Sequence, residues 1–265
     1  MKGYTNHTKR ALQNGEDVCA AWIQGGSAVN AEILAIAGFE TLFVDLEHGI
    51  GDTTTLHSIV QAMHGYMAIP FVRVPWNDFV FIKRVLDLGV YGILVPYVNN
   101  ATEAKAAVSA VKYPPLGFRG VAGSTRAAGY GMNISEYLSS ANDEICVFVQ
   151  VETVEAVKNL HEILKIDGLD GIFIGPLDLA TNMGYFADPG AKEVRNVIEE
   201  VEKKVVASNK FLGTVANSWE EAKTLHERGY QLVISLSDIK VLGKVAMEHV
   251  NLFKGNHKGI SAPSR

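Results

Sequence analysis

The chain has 265 residues, 48% of them hydrophobic, with 24 basic against 29 acidic side chains and a formal net charge of -5. That length can bury one large core and still fit a single α/β barrel. The dispersed Lys and Arg form no stripe able to neutralise a phosphate backbone, so nucleic acid is not an expected partner. The stretch from Met1 to Asn14 is polar and lacks the apolar core of a signal peptide, and no later run is long enough to span a bilayer. A soluble, cytoplasmic protein with no membrane partner is expected.

Short β-branched runs alternate along the chain with longer amphipathic segments. Strands are predicted to begin near Val18, Thr41, Pro70, Gly92, Ile145, Gly171, Lys210 and Gln231. Helical patterns cover 31–37, 53–63, 79–88, 101–111, 154–164, 192–207, 219–228 and 239–252. Eight βα units without a composition shift predict one α/β domain, a (β/α)8 TIM barrel over 1–254, with a polar tail over 255–265 expected to be disordered. Cys19 and Cys146 lie in apolar strand-like runs on opposite sides of such a barrel. They read as buried, reduced core thiols, neither a disulfide nor a nucleophile.

The segment from Lys112 to Glu144 breaks the alternation; it contains Tyr113-Pro114-Pro115-Leu116-Gly117-Phe118-Arg119-Gly120 and Gly123-Ser124-Thr125-Arg126. Loops of this length in a compact domain are usually functional. Because an αβ connection starts at the face opposite its own active site, this one is expected to reach a neighbouring subunit. Asp87, near the C-terminal end of a predicted helix where the helix dipole disfavours negative charge, fits the same expectation. A solvated surface charge would explain it equally well.

Active sites of (β/α)8 barrels lie at the carboxyl ends of the strands, and this rule sorts the polar residues. Asp45, Glu47 and His48 close the second strand, Arg73 the third, Gln150 and Glu152 the fifth, and Asp178 follows the sixth. Side chains alternate along a strand, so Gln150 and Glu152 share one face, expected to be the inward one. Two carboxylates, Glu152 and Asp178, emerging from adjacent strands suit a hard divalent cation that keeps coordination positions open for an oxygen-bearing substrate. Each also has a structural explanation: Asp178 as a helix N-cap, Glu152 as a first-turn carboxylate. His48 could serve as acid or base with Asp45 holding one ring nitrogen, or simply be hydrogen-bonded at a strand end. Arg73 could stabilise a developing oxyanion, pair with Glu47 or Asp45, or do both.

Absences narrow the chemistry. No lysine falls at the carboxyl end of a predicted strand, which disfavours a Schiff base. The loops Thr214-Val215-Ala216-Asn217-Ser218 and Ser235-Leu236-Ser237-Asp238 lack the glycine-rich cup of a phosphate site, and no G-x-G-x-x-G follows the first strand. A cation, an arginine, a base and an amide around a small oxygenated substrate remain, which suits polarisation of a 2-oxo acid towards its enolate.

In this setting the chain resembles the HpcH/HpaI aldolases. The resemblance runs from about Gly25 to Phe253 through Ala37-Gly38-Phe39, Val44-Asp45-Leu46-Glu47-His48-Gly49, Val72-Arg73-Val74-Pro75-Trp76-Asn77-Asp78, Tyr113-Pro114-Pro115 to Arg119-Gly120, Gln150-Val151-Glu152-Thr153 and Gly175-Pro176-Leu177-Asp178-Leu179 with Met183-Gly184. It implies a phosphoenolpyruvate/pyruvate-domain-like barrel that uses Mg²⁺, Mn²⁺ or Co²⁺ to cleave a non-phosphorylated 4-hydroxy-2-oxo acid reversibly into pyruvate and an aldehyde.

Residue by residue, the resemblance implies Glu152 and Asp178 as metal ligands and Arg73 at the enolate oxygen. Gln150, Gly175, Pro176, Leu177 and Val215 would contact substrate, and the amides around Leu177 and Asp178 would hold its carboxylate. His48, backed by Asp45, would be the base, acting through metal-bound water. It also implies a homo-oligomer, a hexamer built as a trimer of dimers, in which Asp87 and the loop near Val121 reach the adjacent site. Leu177, where relatives often carry alanine, and Ser235-Leu236-Ser237 depart from the family pattern and leave the aldehyde open. A malyl- or citramalyl-CoA-type lyase and a non-catalytic oxo-acid binder are the alternatives.

Overall fold

The computed structural model describes residues 4–256. Helix α1 (His7–Gln13) precedes β1 (Val18–Ile23), α2 (Ala28–Ile36), β2 (Thr41–Asp45), α3 (Thr53–Ala62), β3 (Ile69–Arg73), α4 (Phe79–Asp87), β4 (Gly92–Val95) and α5 (Ala101–Val111). After a 3-10 turn at Gly129–Gly131 come α6 (Ile134–Glu144), β5 (Cys146–Val151), α7 (Val154–Leu164), β6 (Gly171–Ile174), α8 (Pro176–Asn182), α9 (Lys192–Val206), β7 (Phe211–Val215), α10 (Trp219–Glu227), β8 (Leu232–Ser237) and α11 (Asp238–Asn256). The strands pair in parallel in sequence order and β8 closes on β1, giving the expected (β/α)8 barrel.

Six of the helices that follow a strand start where a short polar side chain accepts a hydrogen bond from a first-turn amide: Ser27, Asp52, Asp78, Asn100, Thr153 and Ser218. These caps satisfy amides that the helix itself leaves unpaired and stop each βα turn from fraying. The turns they fix surround the barrel mouth.

Alternation divides the strands between two cores. The outer one packs Val72, Val147, Val149, Ile172 and their neighbours against the helices; the inner one holds Trp22, Phe43, Phe71, Phe148 and Phe173. Phe71 lies in register with Gly92, Phe148 with Gly171 and Phe173 with Gly213. A methyl group on Gly92 or Gly171 would collide with the facing phenylalanine ring. The glycines thus let large rings fill a narrow barrel. At the bottom, α1 inserts Leu12 into the inner core, while Lys9 pairs with Asp170 at 2.9 Å and the Asn6 amide donates to the Tyr91 and Glu144 carbonyls.

Helix α11 departs from the usual barrel plan. From Ile239 to Phe253 its residues are exposed, among them Leu242, Met247 and Leu252: the helix lies against β1 and β8 without burying its own side chains, and leaves part of their outer face open at Cys19. Cys19 is consequently exposed, contrary to expectation, with its Sγ 3.2 Å from Ser235 Oγ; Cys146 is buried as expected. The helix continues through Gly255 to Asn256, past the start expected for the tail, and residues 257–265 lie outside the described ones. The segment expected as one long loop contains α6, anchored through Tyr137 and Ala141. Among the described residues no helix is long and apolar enough to cross a membrane.

Candidate active site

The inner faces of β1, β2, β3 and β5 carry the site above the aromatic layer. Arg73 is 8% exposed and stacks its guanidinium 4.6 Å over the Trp22 ring. Its Nη2 donates to Asp45 Oδ2 at 2.6 Å and its Nε to Asp45 Oδ1 at 2.9 Å, a two-point pairing that fixes the plane of the fork. Glu47 Oε2 lies 3.2 Å from the same Nε without the alignment of a hydrogen bond. Both readings of Arg73 as an ion-pair partner hold, and its Nη1 remains directed towards Gln150 Oε1 at 3.5 Å.

Asp45 has a role other than the expected one. Its Oδ1 accepts from the backbone amides of Glu47 and His48, at 3.1 and 3.2 Å, and its Oδ2 accepts from Gln24 Nε2 at 2.9 Å. With Arg73 added, these bonds leave nothing for the imidazole. The aspartate therefore folds the turn that carries His48 and anchors Arg73 instead of orienting the ring. Burial pushes its carboxyl up, but the bonds and charge of Arg73, with the bonds from Gln24 and the His48 amide, together hold it below the usual carboxylate range. The His48 side chain is 63% exposed at the mouth, with Nε2 3.8 Å from Glu47 Oε1.

Gln150 and Glu152 both face inward, as alternation predicts. Glu152 Oε1 accepts from the Tyr97 amide at 2.7 Å, and its Oε2 accepts from the Gln150 side-chain amide. Gly175 makes this possible, since a methyl group there would strike Glu152 Oε2. Burial pushes Glu152 up to about 7 against those two hydrogen bonds, and the charges of Asp178 and Glu47 add to the shift. Burial likewise raises Glu47 to about 7; Arg73 opposes this, and Asp45 and Asp178 reinforce it.

Asp178 occupies the first turn of α8, whose N-cap is Gly175, so it is not the cap residue. Its carboxylate is exposed and accepts no hydrogen bond among the described residues.

These observations test the site against a divalent cation. Glu152 is raised by burial and feels the charge of Asp178 and Glu47, and Glu47 turns in an oxygen without a hydrogen-bond donor. Among the described residues no group of three or more His, Cys, Asp or Glu side chains is arranged to hold a metal by itself. A hard cation that takes two carboxylates and completes its shell with substrate and water fits this donor set; a structural tetrahedral site does not.

Pro176, Leu177 and Val215 also stand at the carboxyl ends of their strands, Leu177 exposed and Val215 half-buried. Asp87 and Val121 do not join them. Asp87 closes α4, at the opposite end of the barrel, where its Oδ1 accepts from Arg119 Nη2 at 2.9 Å; it is therefore not the free surface charge considered above. Val121 is exposed in the loop two residues beyond Arg119.

Spacing alone missed Trp22, Gln24 and Tyr97 as site residues, and placed Glu47 at the mouth only as a partner for Arg73. Gln24 bridges Asp45 and Ser237, whose hydroxyl donates to Gln24 Oε1 at 2.8 Å. Tyr97 adopts φ 56°, a left-handed conformation that costs a bulky residue about 1 kcal/mol or more and is tolerated where the surroundings demand it. That conformation aims its amide at Glu152.

Fold and site together define a barrel enzyme whose mouth combines a pinned arginine with clustered carboxylates. Residues 19–243 match the family described as HpcH/HpaI aldolase/citrate lyase. The chain is 42% identical over 241 residues to a 4-hydroxy-2-oxo-heptane-1,7-dioate aldolase of Escherichia coli, covering 91% of this chain and 92% of that protein. A protein of the same name from Salmonella dublin is 39% identical over 259 residues, covering 98% of each. A crystal structure of an HpcH/HpaI aldolase/citrate lyase family protein from Burkholderia cenocepacia superposes with a TM-score of 0.90 at 31% identity, covering 94% of this chain and 100% of that one. The chain belongs to the HpcH/HpaI aldolase/citrate lyase family.

Proposed function

We infer that this protein is a carbon-carbon lyase that cleaves a non-phosphorylated 4-hydroxy-2-oxo acid reversibly to pyruvate and an aldehyde. The observation that carries this reading is the Arg73 guanidinium, locked by Asp45 beside Gln150 and the raised carboxyl of Glu152, in a chain 42% identical to a named aldolase of that class.

Glu152 and Asp178 would hold Mg²⁺, Mn²⁺ or Co²⁺, which when bound polarises the 2-oxo group. Arg73 is pre-set to meet charge as it develops on the ketone oxygen, and its fixed fork requires no reorganisation during the reaction. Gln150 positions the oxo acid, while Gly175, Pro176, Leu177 and Val215 line its approach and the Leu177 and Asp178 amides receive its carboxylate. In the cleavage direction His48 takes the proton of the C4 hydroxyl as the C3–C4 bond breaks. The bond pair passes to the pyruvate enolate and C4 becomes the aldehyde carbonyl; in synthesis the proton moves back. Pyruvate release from 4-hydroxy-2-oxoheptanedioate, coupled to lactate dehydrogenase, is expected with Mn²⁺ and is expected to stop in EDTA. Equal rates in both would remove the cation from the reading.

The working unit is proposed to be a cytoplasmic homo-oligomer, a trimer of dimers. Support comes from the exposed apolar side chains of α11, a surface a second copy would bury. Asp87 and Val121, remote from their own barrel mouth, would then serve a neighbour's. Dilution is expected to lower specific activity in step with the sedimentation-defined assembly, and a fully active monomer would refute the shared site.

A further inference from the structure

Four side chains form a single course along the rim, one layer above the aromatic filling of the barrel. Ile23 pairs with Val44 and Asp45 with Arg73 across neighbouring strands, so alternation puts Gln24, Asp45 and Arg73 above Trp22, Phe43 and Phe71. Ser237, the last residue of β8 and the register partner of Trp22, completes the course. The hydrogen bonds along it run in one direction. A carboxylate only accepts, so the Gln24 amide presents its nitrogen to Asp45 Oδ2, at 2.9 Å, and its oxygen to Ser237, whose hydroxyl donates at 2.8 Å.

Gln24 also holds the turn that carries His48 from both ends. Its side chain reaches Asp45, whose Oδ1 accepts from the Glu47 and His48 amides, and its carbonyl accepts from the Ile50 amide at 2.8 Å. The two segments pack backbone to backbone, because a methyl group on Gly26 would collide with the Ile50 carbonyl and one on Gly49 with the Asp45 carbonyl. Asp238 fixes the Gln24 backbone separately: its Oδ1 accepts from the Gln24 amide at 2.9 Å and its Oδ2 from Asn30 Nδ2 at 2.9 Å. Replacing the Gln24 side chain therefore leaves the bonds of the loop in place and removes only the link between Ser237 and Asp45.

We propose that Gln24 is a positioning residue for the aldol reaction: held by Ser237, it fixes Asp45 and through Asp45 sets both the Arg73 fork and the His48 turn. The proposal rests on the aldolase reading above and adds to it the residue that joins its arginine to its base. A neutral amide suits the place. It carries donor character from the hydroxyl across to an acceptor-only carboxylate and adds no charge beside the Arg73–Asp45 pair, whereas a carboxyl does the same only while protonated.

The test uses the intact protein with Mn²⁺, reading pyruvate release from 4-hydroxy-2-oxoheptanedioate and, without any aldehyde, proton exchange at C3 of pyruvate in D2O by NMR. Gln24→Leu, similar in size but without a donor, should lower kcat by about tenfold or more and change KM by less than about threefold, because Arg73 acts on charge that develops only in the transition state. Exchange should fall in step. Ser237→Ala should lower kcat by about threefold and have no further effect in the Gln24→Leu background, since both changes break one relay. Gln24→Glu places a carboxyl against Asp45, with Arg73 beyond it, Glu47 and His48 on the adjoining turn and Asp238 behind its backbone. Its kcat relative to the parent at the same pH should fall as pH rises from 6 to 9. A parent-like kcat in Gln24→Leu overturns the role, and so does a Gln24→Glu ratio that is constant with pH. Losses in Gln24→Leu and Ser237→Ala that multiply would also overturn it. Where Gln24→Leu does not fold, Ser237→Ala and Gln24→Glu decide the matter. Absence of both cleavage and exchange in the parent protein would instead overturn the underlying aldolase reading.

Discussion

Replacing Glu152 by Gln lowers pyruvate release by about three orders of magnitude or more, equivalent to about 4 kcal/mol of lost transition-state stabilisation. The change is nearly isosteric, so the Tyr97 amide keeps an oxygen to donate to, and what is lost is the negative charge a cation needs. The same charge burdens the cation-free fold. Glu152 and Glu47 are both raised from 4.5 to about 7. Between those values the folded protein binds more protons than the unfolded chain, so stability falls as pH rises through the window and the deficit is complete above about 7. In EDTA the variant should therefore melt above the parent at pH 8, and the gap should shrink at pH 5. Mn²⁺ should raise the melting temperature of the parent much more than that of the variant. Retained turnover in Glu152→Gln would sink its assigned role, and equal melting at both pH values would contradict the raised carboxyl.

At Arg73 the expected losses separate catalysis from folding. Arg73→Lys keeps a positive charge but loses the planar two-point fit to Asp45, and kcat/KM should fall by about 10²–10³ with the fold retained. Arg73→Ala removes the partner of an aspartate that is 1% exposed. Breaking one side of such a buried pair costs about 3–5 kcal/mol, measured by urea unfolding. Adding Asp45→Asn should recover most of that stability and none of the activity, since the new amide no longer needs a cation but supplies none to the substrate. Recovery of activity in the double variant would assign Arg73 a purely structural role.

Much of the architecture was legible because the inner and outer faces of a barrel strand impose hard chemical limits. Runs such as Leu42–Val44 and Cys146–Val149 are apolar throughout, with polar inward positions following at Asp45 and Gln150, and each predicted strand starts within one residue of its place in the structure. Three helices were missed for physical reasons. α1 buries the polar Thr8 and Lys9 beside Leu12, α8 is seven residues long with a proline at its start, and α6 is rich in Ser, Asn and Asp and depends on Tyr137 and Ala141 for anchorage. Cys19 was misjudged because an apolar strand residue is buried only if some helix lies over it.

At the site, alternation correctly turned Gln150 and Glu152 inward, and the strand-end rule collected Arg73 and His48. The bond from Asp45 to the backbone, instead of to the imidazole, could not be read from a three-residue spacing, because both fit it. Nor could the role of Tyr97, which depends on a backbone angle that nothing in Val95-Pro96-Tyr97-Val98 announces.

The ring of phenylalanines paired with glycines has a consequence for the order of events. With α1 plugging one end and Phe43, Phe71, Phe148 and Phe173 filling the middle, the barrel has a single doorway. On the proposed reading the three-carbon acid, seated deepest, would enter first and depart last, and the aldehyde would pass over it in both directions. After every cleavage the enzyme would be left holding a carbon nucleophile behind an open door. Whether that nucleophile is protonated and released or captures another carbonyl is then decided by the aldehyde concentration outside, so the net direction of flux belongs to the surrounding metabolism and not to the protein.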